Sequence, residues 1–383
     1  MIHVLLANKH FLGITGGAER NISDLANWLS RSGFKVTVVS ESKHGTSPAF
    51  PLDAYVDVID PSDESYSHHL VDHLAIRFVG DPEGEEWLLS SADIRKRWGT
   101  CIRRIDPDVI LTFMPHTSTF ILQELADEYP ILVTNQNDPS IEYYSDKHGS
   151  STFEKCLRLE SLARANLVHF LIPGFVDKMP DYVKERAIVI PNAVQSAGQF
   201  RISQREKRII GIGRLVPQKG FDQLIAAFAQ TKAISNGWQL HIFGNGGERD
   251  HLLEQIRRLK AQRSILLRGH TSRPQIEMAR SQIFVIPSVY EGWGLTLTEA
   301  MSVGLPSIGF VDCSGVNWLI HDNENGLLVE RGASELADAI DDLVGNETQR
   351  IQMGERAQSF TQQFAPEMIY SQWVDAVKSM VRA

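Results

Sequence analysis

Short apolar runs that alternate with amphipathic helical patterns are the feature that most constrains the fold of this chain. Ile2–Ala7 has the composition of a buried parallel strand, and Ala18–Ser32 carries apolar residues at helical spacing before Gly33. Because strands and helices alternate, we expect parallel sheets that are covered by helices on both faces. Further strands of this first series are predicted at Val36–Ser40, Asp108–Phe113, Ile131–Asn135, Leu167–Ile172 and Ala187–Ile190.

The same alternation starts again at Arg208. A chain of 383 residues exceeds the size at which one hydrophobic core usually stops growing. The two series therefore predict an α/β protein with two Rossmann-like domains that face each other across a cleft. The second series contains predicted strands at Ile209–Gly213, Gln239–Phe243, Ile265–Leu267 and Ile283–Pro287, and predicted helices at Gly220–Ala229, Glu248–Leu259 and Arg273–Arg280.

Three segments set the predicted domain limits. The polar stretch from Pro191 to about Gln204 has no periodicity, so we place the N-terminal domain at residues 1–190 and the C-terminal domain at residues 191–365. Residues 366–383 form a last helix that either closes the second domain or crosses back to the first. The stretch Glu41–Ser91, rich in His, Asp, Ser and Pro, is interpreted as loops and short elements, an acceptor-side excursion.

Charge and composition narrow the partners and the compartment. A net charge of −9 argues against a nucleic-acid partner, whose phosphates need a basic surface. Three distant cysteines predict neither disulfides nor a zinc site. The first residues lack the features of a signal peptide, and no apolar run approaches the ~20 residues of a spanning helix. We expect a cytoplasmic protein, or one attached to the inner face of a membrane.

The densest functional signal follows the predicted strand Ile283–Pro287. Glu291 to Met301 combines a glycine-containing turn with a helix N-terminus, whose free N–H groups and dipole predict an anion site. Glu291 lies in the turn and Glu299 about two helical turns further, so both carboxylates can face one ligand. The structural alternative is a plain strand-to-helix connection with a solvated glutamate.

A second signal lies between Gly211 and Gly220, again after a predicted strand and before a helix. Open α/β sheets bind ligands at this edge. Arg214 offers a planar fork for phosphate oxygens and Lys219 a mobile point charge. The glycine spacing is not that of a P-loop, and two surface cations near a turn are the structural alternative.

Several weaker signals remain. The glycines around Gly16 and Gly17 follow the first strand without the spacing of a dinucleotide site, and the turn at Gly244 is similar. His116 and the loop Asn135–Pro139 follow strands and could line the acceptor side. We interpret the pair Asp106 and Asp108 as structural. One helix is unusually basic, which suggests either a solvated face or membrane attachment; its cations are Arg95, Lys96, Arg97, Arg103 and Arg104.

Together these segments resemble the retaining glycosyltransferases of family 4, which have the GT-B fold, and among them the amylovoran-type enzymes of bacterial polysaccharides and lipid-linked oligosaccharides. The paired glutamates with seven residues between them are the most specific match. The other matching segments are Gly16–Arg20, Ile190–Asn192, Gly213–Arg214, Lys219–Gly220, Gly304–Pro306, Cys313–Gly315 and Glu324–Val329.

The resemblance implies a role for each matching residue. Arg214 and Lys219 would hold the donor diphosphate, Glu299 the ribose, and Glu291 the donor sugar, with Glu291, Arg214, Lys219 and His116 as the catalytic set. Many relatives carry a histidine at the end of the strand before the acceptor loop, where Phe113 stands here and His116 follows. The implied donor site comprises Gly16, Gly17, Gly213, Arg214, Lys219, Gly244, Glu291, Gly292, Trp293, Gly294, Leu295, Thr296 and Glu299.

The resulting functional hypothesis is a retaining, metal-independent transferase without a cofactor. It would move a hexose or N-acetylhexosamine from a UDP-sugar to a saccharide or lipid-linked acceptor. The enzymatic alternatives are a sugar-nucleotide epimerase, for which no acid and base pair can be located, and a phosphorylase, for which no pyridoxal-lysine context is visible. A non-catalytic sugar-nucleotide-binding subunit is the alternative from another class.

Overall fold

The computed structural model describes residues 1–41, 47–66, 74–146, 151–196 and 205–381. The chain divides into two compact units. Unit 1 comprises Met1–Pro191 with Ile369–Ala383, and unit 2 comprises Asn192–Met368. The predicted linker extends over residues 197–204, and the predicted loop region over residues 42–46 and 67–73, which lie outside the described residues.

Unit 1 is built on seven parallel strands in the order β3-β2-β1-β4-β5-β6-β7 within the part of the chain that the structure describes. β1 and β4 are buried along their whole length, which explains their continuous apolar runs. The strands are β1 (His3–Ala7), β2 (Lys35–Val39), β3 (Val56–Ile59), β4 (Val109–Phe113), β5 (Ile131–Thr134), β6 (Leu167–Phe170) and β7 (Ala187–Val189).

The helices of unit 1 lie in the connections between these parallel strands. The first helix ends where Gly33 takes up a left-handed conformation with φ of 86°, the expected C-terminal stop. The helices are α1 (Gly17–Arg31), α2 (Pro82–Ile105), α3 (Pro115–Leu125), α4 (Pro139–Glu142), α5 (Thr152–Ser161), α6 (Pro173–Val176) and α7 (Asp181–Lys184).

Unit 2 repeats the same plan with six parallel strands in the order β10-β9-β8-β11-β12-β13 among the described residues. The strands are β8 (Arg208–Ile212), β9 (Gln239–Phe243), β10 (Ile265–Gly269), β11 (Ile283–Ile286), β12 (Ser307–Phe310) and β13 (Gly326–Val329). Its helices are α8 (Phe221–Phe228), α9 (Arg249–Arg258), α10 (Pro274–Ala279), α11 (Leu295–Ser302), α12 (Ser314–Asn317), α13 (Ala333–Gly345) and α14 (Glu347–Thr361). The predicted α/β class with two Rossmann-like sheets is confirmed.

The interpretation of Glu41–Ser91 as loops and short elements is wrong in part. β3 pairs in parallel with β2, and α2 begins at Pro82, well inside this stretch. In β3 only Val56 is buried, and the first turns of α2 bury little besides Gly84. Both elements therefore lack the apolar periodicity that reveals a strand or a helix in a sequence.

The last helix, α15 (Pro366–Val381), belongs to unit 1 from Ile369 onward. Tyr370 stacks on Trp28 of α1 with ring centroids 5.0 Å apart. Trp373 packs on His169 of β6 at 4.5 Å. The segment therefore completes the core of unit 1, although it follows the whole of unit 2 in the sequence.

Each sheet has a point where the strand order reverses. In unit 1 it lies between β1 and β4, and in unit 2 between β8 and β11. Loops that leave two neighbouring parallel strands in opposite directions open a crevice at their carboxyl ends, where such sheets bind ligands. Of the residues singled out from the sequence, Lys219, Glu291 and Thr296 line the crevice of unit 2 and His116 lines that of unit 1.

Candidate functional site

The loop after β8 forms one side of the crevice of unit 2. A short 3-10 turn, Pro217–Lys219, ends at Gly220, which is left-handed with φ of 61°. A Cβ at Gly220 would lie 2.1 Å from the carbonyl oxygen of Pro287, so only glycine allows the loop to approach the end of β11. Gly213 is not under the same constraint, because a Cβ there would make only ordinary van der Waals contact with the aliphatic stem of Lys219 at 3.4 Å.

Lys219 and Glu291 form an ion pair across this crevice. The Lys219 Nζ lies 2.5 Å from Glu291 Oε1, and the hydroxyl of Ser288 donates to the same oxygen at 2.7 Å. The side chains of Lys219 and Glu291 are 18% and 9% exposed, and Ser288 is buried. The two predicted site residues are thus in direct contact.

Two further hydrogen bonds join the loops that carry the ion pair. The side-chain amide of Gln218 donates to the carbonyl of Tyr290 at 3.0 Å. The backbone N–H of Val289 donates to the carbonyl of Gln218 at 2.8 Å. Because these bonds join the residues that precede Lys219 to those that precede Glu291, they hold the two loops next to each other.

Arg214 lies on the same loop in a different environment. Its side chain is exposed, and within the described part of the chain its guanidinium has no hydrogen bond or ion pair. The backbone beside it is held by contact with the loop after β9. There a Cβ at Gly244, which has φ of 142°, would lie 1.8 Å from the carbonyl oxygen of Gly213. Packing against Gly213 therefore requires a glycine at position 244, independently of any ligand.

The helix α11 begins on the other side of the crevice. Gly294 precedes it with φ of 78°, a conformation that favours glycine, and the helix starts at Leu295. The first N–H groups of a helix have no partner within it. Thr296 lines one small depression together with Lys219, Ser288 and Glu291. The ion pair and the helix N-terminus thus share one site.

The other predicted residues of this turn are packed inside unit 2. Trp293 is buried against Trp318 and Phe364, with ring centroids 5.5 and 5.1 Å away. Gly292 faces α12, where a Cβ at Gly315 would lie 2.9 Å from its carbonyl carbon. Glu299 is 8% exposed on α11. The roles predicted for these residues stay predictions, and the packing of Trp293 and Gly292 explains how the turn is held.

The crevice of unit 1 is a pocket of about 440 Å³ at the carboxyl ends of β1 and β4. Its lining mixes cations, carboxylates and two imidazoles, which suits a ligand with many hydroxyl groups better than a bare anion. The lining residues that carry charge or an imidazole are Lys9, His10, Glu19, His116, Glu142, Glu154 and Arg158.

His116 lies on the first turn of α3 and faces this pocket. Met114, which precedes the helix, has φ of 69°, a strained value for a non-glycine residue that recurs at functional sites. Protein atoms around the ring, followed by the positive charges of Lys9 and Arg158, lower the pKa of His116 to about 4. The ring is exposed on its pocket side and is neutral at pH 7. Phe113 instead lies in the core, 1% exposed.

The glycines near the start of α1 lie beside the same pocket. Gly16 is the N-cap residue of α1 and Gly17 its first residue. A Cβ at Gly16 would lie 2.3 Å from Glu19 Oε2, and Glu19 lines the pocket. Gly16 therefore leaves room for the Glu19 carboxylate; a phosphate contact by Gly17 stays a prediction.

Two residues of the loop Asn135–Pro139 make structural contacts, and an acceptor-binding role for the loop stays a prediction. Asn135 donates to the carbonyl of His169 at 3.0 Å and accepts from Tyr143 Oη at 2.6 Å. Asp138 caps α4 and pairs with Lys178 at 2.7 Å. The pocket of unit 1 is lined by Glu142, which lies three residues beyond Pro139 and which the sequence did not indicate.

The carboxylate pair Asp106 and Asp108 is structural, as interpreted from the sequence. Asp108 Oδ2 accepts from the backbone N–H of His3 at 2.7 Å, and Asp106 ends α2 with φ of 50°. In the part of the chain that the structure describes, no group of three or more His, Cys, Asp or Glu residues could hold a metal ion.

The basic face of α2 is largely neutralised by carboxylates. Arg95 is fully buried and pairs with Glu124 at 3.1 Å, and Arg104 contacts Glu64. Lys96, Arg97 and Arg103 also have carboxylate partners. These pairs account for the basic run without a membrane. Among the described residues, no helix combines the length and apolarity needed to cross a bilayer.

Residues 195–360 match the family model described as "Glycosyl transferases group 1". An exopolysaccharide phosphotransferase of Streptomyces coelicolor is 29% identical over 282 residues, which is 73% of this chain and 29% of the relative. A poly(ribitol-phosphate) alpha-N-acetylglucosaminyltransferase of Staphylococcus aureus is 28% identical over 66% of this chain and 51% of the relative. This chain thus spans about half or less of the length of these two relatives.

An amylovoran biosynthesis glycosyltransferase of Erwinia amylovora is 29% identical over 175 residues, which is 45% of this chain and 48% of the relative. Among solved structures, sucrose-phosphate synthase from Thermosynechococcus elongatus superposes with a TM-score of 0.81 at 17% identity, over 99% of both chains. Anabaena HepE in complex with UDP gives 0.72 at 19% identity, over 99% of this chain and 100% of that one. At these identities the superpositions show the fold alone.

Two Rossmann-like units with these solved neighbours define an α/β protein of the GT-B class. The match of residues 195–360 to the group 1 glycosyltransferase model and the relatives above support a bacterial glycosyltransferase of this family-4-like kind. The resemblance inferred from the sequence is confirmed.

Proposed function

We propose that this glycosyltransferase moves a hexose or an N-acetylhexosamine from a UDP-sugar to a saccharide or a lipid-linked acceptor, with retention at the anomeric carbon. The printed name of the S. aureus relative states N-acetylglucosamine transfer, and the HepE structure contains UDP. Both facts support the choice of sugar and nucleotide without fixing either one for this chain. We further propose that it acts in the cytoplasm or at the inner face of the membrane.

The observation that carries the proposal is the shared site of Lys219, Glu291 and the N-terminus of α11. These groups meet around one depression at the strand-order reversal of unit 2. When a glycosidic bond to a diphosphate breaks, negative charge develops on the leaving phosphate. A fixed cation and a helix N-terminus stabilise that charge without rearranging during the reaction.

The remaining residues divide between the parts of the donor. Exposed Arg214 would bind phosphate oxygens in a bidentate manner, and Glu299 would accept hydrogen bonds from vicinal ribose hydroxyls. Glu291 keeps Oε2 for a sugar hydroxyl, since within the described residues only its Oε1 accepts hydrogen bonds. The amides of Leu295 and Thr296 would contact the distal phosphate.

The acceptor is assigned to the 440 Å³ pocket of unit 1. Its mixture of carboxylates, Lys9 and neutral His116 can donate and accept hydrogen bonds at many positions, as sugar hydroxyl recognition requires. A neutral imidazole can also take a proton from an attacking hydroxyl. His116 is therefore proposed as the acceptor-side catalytic residue.

A nucleotide screen followed by a transfer assay tests this function. Thermal unfolding is measured with UDP, GDP, ADP and their sugars, because a ligand of the folded state raises Tm. The nucleotide sugar that stabilises the protein is then incubated with saccharide acceptors, and the release of nucleoside diphosphate and the anomeric configuration of the product are measured. A raised Tm without transfer or donor hydrolysis would favour a non-catalytic binding subunit. No response to any nucleotide would reject the proposal.

We also propose that catalysis needs no metal ion, because Lys219, Arg214 and the α11 dipole supply the positive charge. Activity is expected to persist in excess chelator. The measurement is the rate of diphosphate release with and without EDTA. Complete loss of activity that magnesium or manganese restores would contradict this assignment.

A further inference from the structure

The cation that should bind the donor diphosphate already has an anionic partner in the protein. Lys219 Nζ contacts Glu291 Oε1 at 2.5 Å, and Ser288 directs its hydroxyl to the same oxygen at 2.7 Å. The Glu291 side chain is 9% exposed, so water screens this charge poorly. A diphosphate that binds Lys219 must therefore compete with a carboxylate that stays nearby.

Movement of the loops cannot easily remove this competitor. Gln218, which directly precedes Lys219, is hydrogen-bonded to the backbone of Val289 and Tyr290, which precede Glu291. Gly220 lies directly on Pro287, where a Cβ would come within 2.1 Å of its carbonyl oxygen. The two loops are thus fixed to each other, and the phosphate enters with Glu291 still in place.

We propose that Glu291, oriented by Ser288, is a built-in counter-ion that limits how tightly Lys219 holds the nucleoside diphosphate product. The proposal rests on the proposed function, since it concerns the same donor site. A carboxylate beside the bound phosphates repels them and re-forms its ion pair with Lys219 as they leave. Affinity for the product is thereby lowered, and its release is favoured.

The inference changes what a mutation of Glu291 should do. A residue that touches only the donor sugar would leave binding of the free diphosphate unchanged when it is replaced. A counter-ion instead weakens that binding while it is present. Glu291→Gln keeps the shape of the side chain and one acceptor oxygen, replaces the other oxygen with an amide donor and removes the negative charge, so it should bind the diphosphate more tightly.

The test is calorimetric titration of UDP, or of the diphosphate that stabilises the wild type best. Glu291→Gln is expected to lower Kd by about fivefold, the equilibrium equivalent of a partly exposed ion pair. Ser288→Ala, which keeps every charge but loosens the orientation of Glu291, should lower Kd by roughly twofold. The matched control is Glu206→Gln, which removes a carboxylate from an exposed pair with Arg280 in the same unit and should leave Kd unchanged.

A double variant shows whether the effect passes through Lys219. In a Lys219→Gln background, Glu291→Gln should give a clearly smaller gain in affinity for the diphosphate. Position 219 then carries no cation that the loss of the Glu291 charge could free for the phosphates. Unchanged or weaker binding by Glu291→Gln overturns the inference while the proposed function stands, since the wild type still binds. A wild type that binds no diphosphate rejects the proposed function itself. If Glu291→Gln does not fold, Ser288→Ala decides: tighter binding supports the inference, and unchanged or weaker binding overturns it.

Discussion

Arg214 and Lys219 lie on one loop but carry their charges in different surroundings. Lys219 is paired with Glu291, whereas exposed Arg214 has no ion pair within the described residues. Both should nevertheless act on the departing diphosphate. Arg214 would supply a free cation and Lys219 a positioned one, so the loss of either charge should affect the rate far more than the stability.

We therefore expect Lys219→Ala and Arg214→Ala each to lower turnover by about 10²-fold, the usual effect of removing one preorganised charge. The measurement is the steady-state rate of diphosphate release beside the thermal unfolding temperature. Arg257→Ala, on the exposed face of α9, is the control and should keep full activity. Near-normal turnover in either test variant would remove that residue from the site.

Glu299 should report on the nucleotide and not on the sugar. It lies on α11, mostly buried, about one turn after the helix begins at Leu295. Glu299→Ala is expected to weaken binding of the free diphosphate by about 1.5–3 kcal/mol, the range for hydrogen bonds to a charged group. Calorimetric titration measures this, with Glu254→Ala on α9 as the control. Unchanged affinity would contradict the ribose assignment.

The sequence identified Lys219 and Glu291 separately but could not show that they touch. They are 72 residues apart, and their contact depends on β8 and β11 being neighbours in the sheet. Ser288 directly follows the predicted strand Ile283–Pro287, and a lone serine at that place has no pattern that would indicate a role. The structure alone reveals that its hydroxyl orients Glu291.

At the scale of elements, the turn at Gly220 decides whether the two halves of the donor site meet. Gly220 and Gly237 are both left-handed, with φ of 61° and 77°. A Cβ at Gly220 would collide with the Pro287 carbonyl, whereas at Gly237 nothing lies within 4 Å. Comparing substitutions at the two glycines therefore separates the effect of backbone strain from the effect of the close approach of the loops.

We expect Gly237→Ala to cost about 1–2 kcal/mol of unfolding free energy, the price of a left-handed alanine, and to keep activity. Gly220→Ala should cost more and should also lose diphosphate binding, because the Lys219 loop must move away from Glu291. Urea unfolding and calorimetric titration of both variants measure the two effects. Equal loss of binding in both variants would show that strain alone is responsible.

Elements buried on both faces were predictable, and half-exposed ones were not. β8 and β11 are short apolar runs that the sequence located to within about a residue at their starts. β3, with two exposed residues out of four, has no such run. The pocket of unit 1 was also beyond prediction, because Glu142, Glu154 and Arg158 reach His116 only through the packing of α4 and α5.

At the scale of the whole molecule, each unit contains a buried histidine on a sheet strand. His169 on β6 donates from Nε2 to the carbonyl of Ile190 at 2.7 Å, and burial lowers its pKa to about 4. His241 on β9 lies between Arg208 and Arg268, and burial followed by these positive charges also lowers its pKa to about 4. Both are neutral in the folded protein at pH 7.

Because an unfolded histidine titrates near 6.5, the unfolded state binds more protons between pH 6.5 and about 4. The contribution of these neutral histidines to the free energy of unfolding should therefore be complete above pH 6.5. It should decrease as the pH falls from 6.5 toward 4. Urea unfolding at pH 7.5, 6 and 5 measures this slope. His169→Gln should flatten it, and His251→Gln, at an exposed position, should not. An unchanged slope in His169→Gln would exclude His169 as a source.

The return of α15 to unit 1 at the end of the chain affects the order in which the two units can fold during synthesis. Unit 2 is one continuous stretch, but unit 1 needs Tyr370 and Trp373 to cover Trp28 and His169. During synthesis the ribosome would release a complete unit 2 while the earlier-made unit 1 still exposes aromatic surface. The half of the enzyme that is translated first is thus the half that finishes folding last, and it is the half that a nascent-chain chaperone would need to protect.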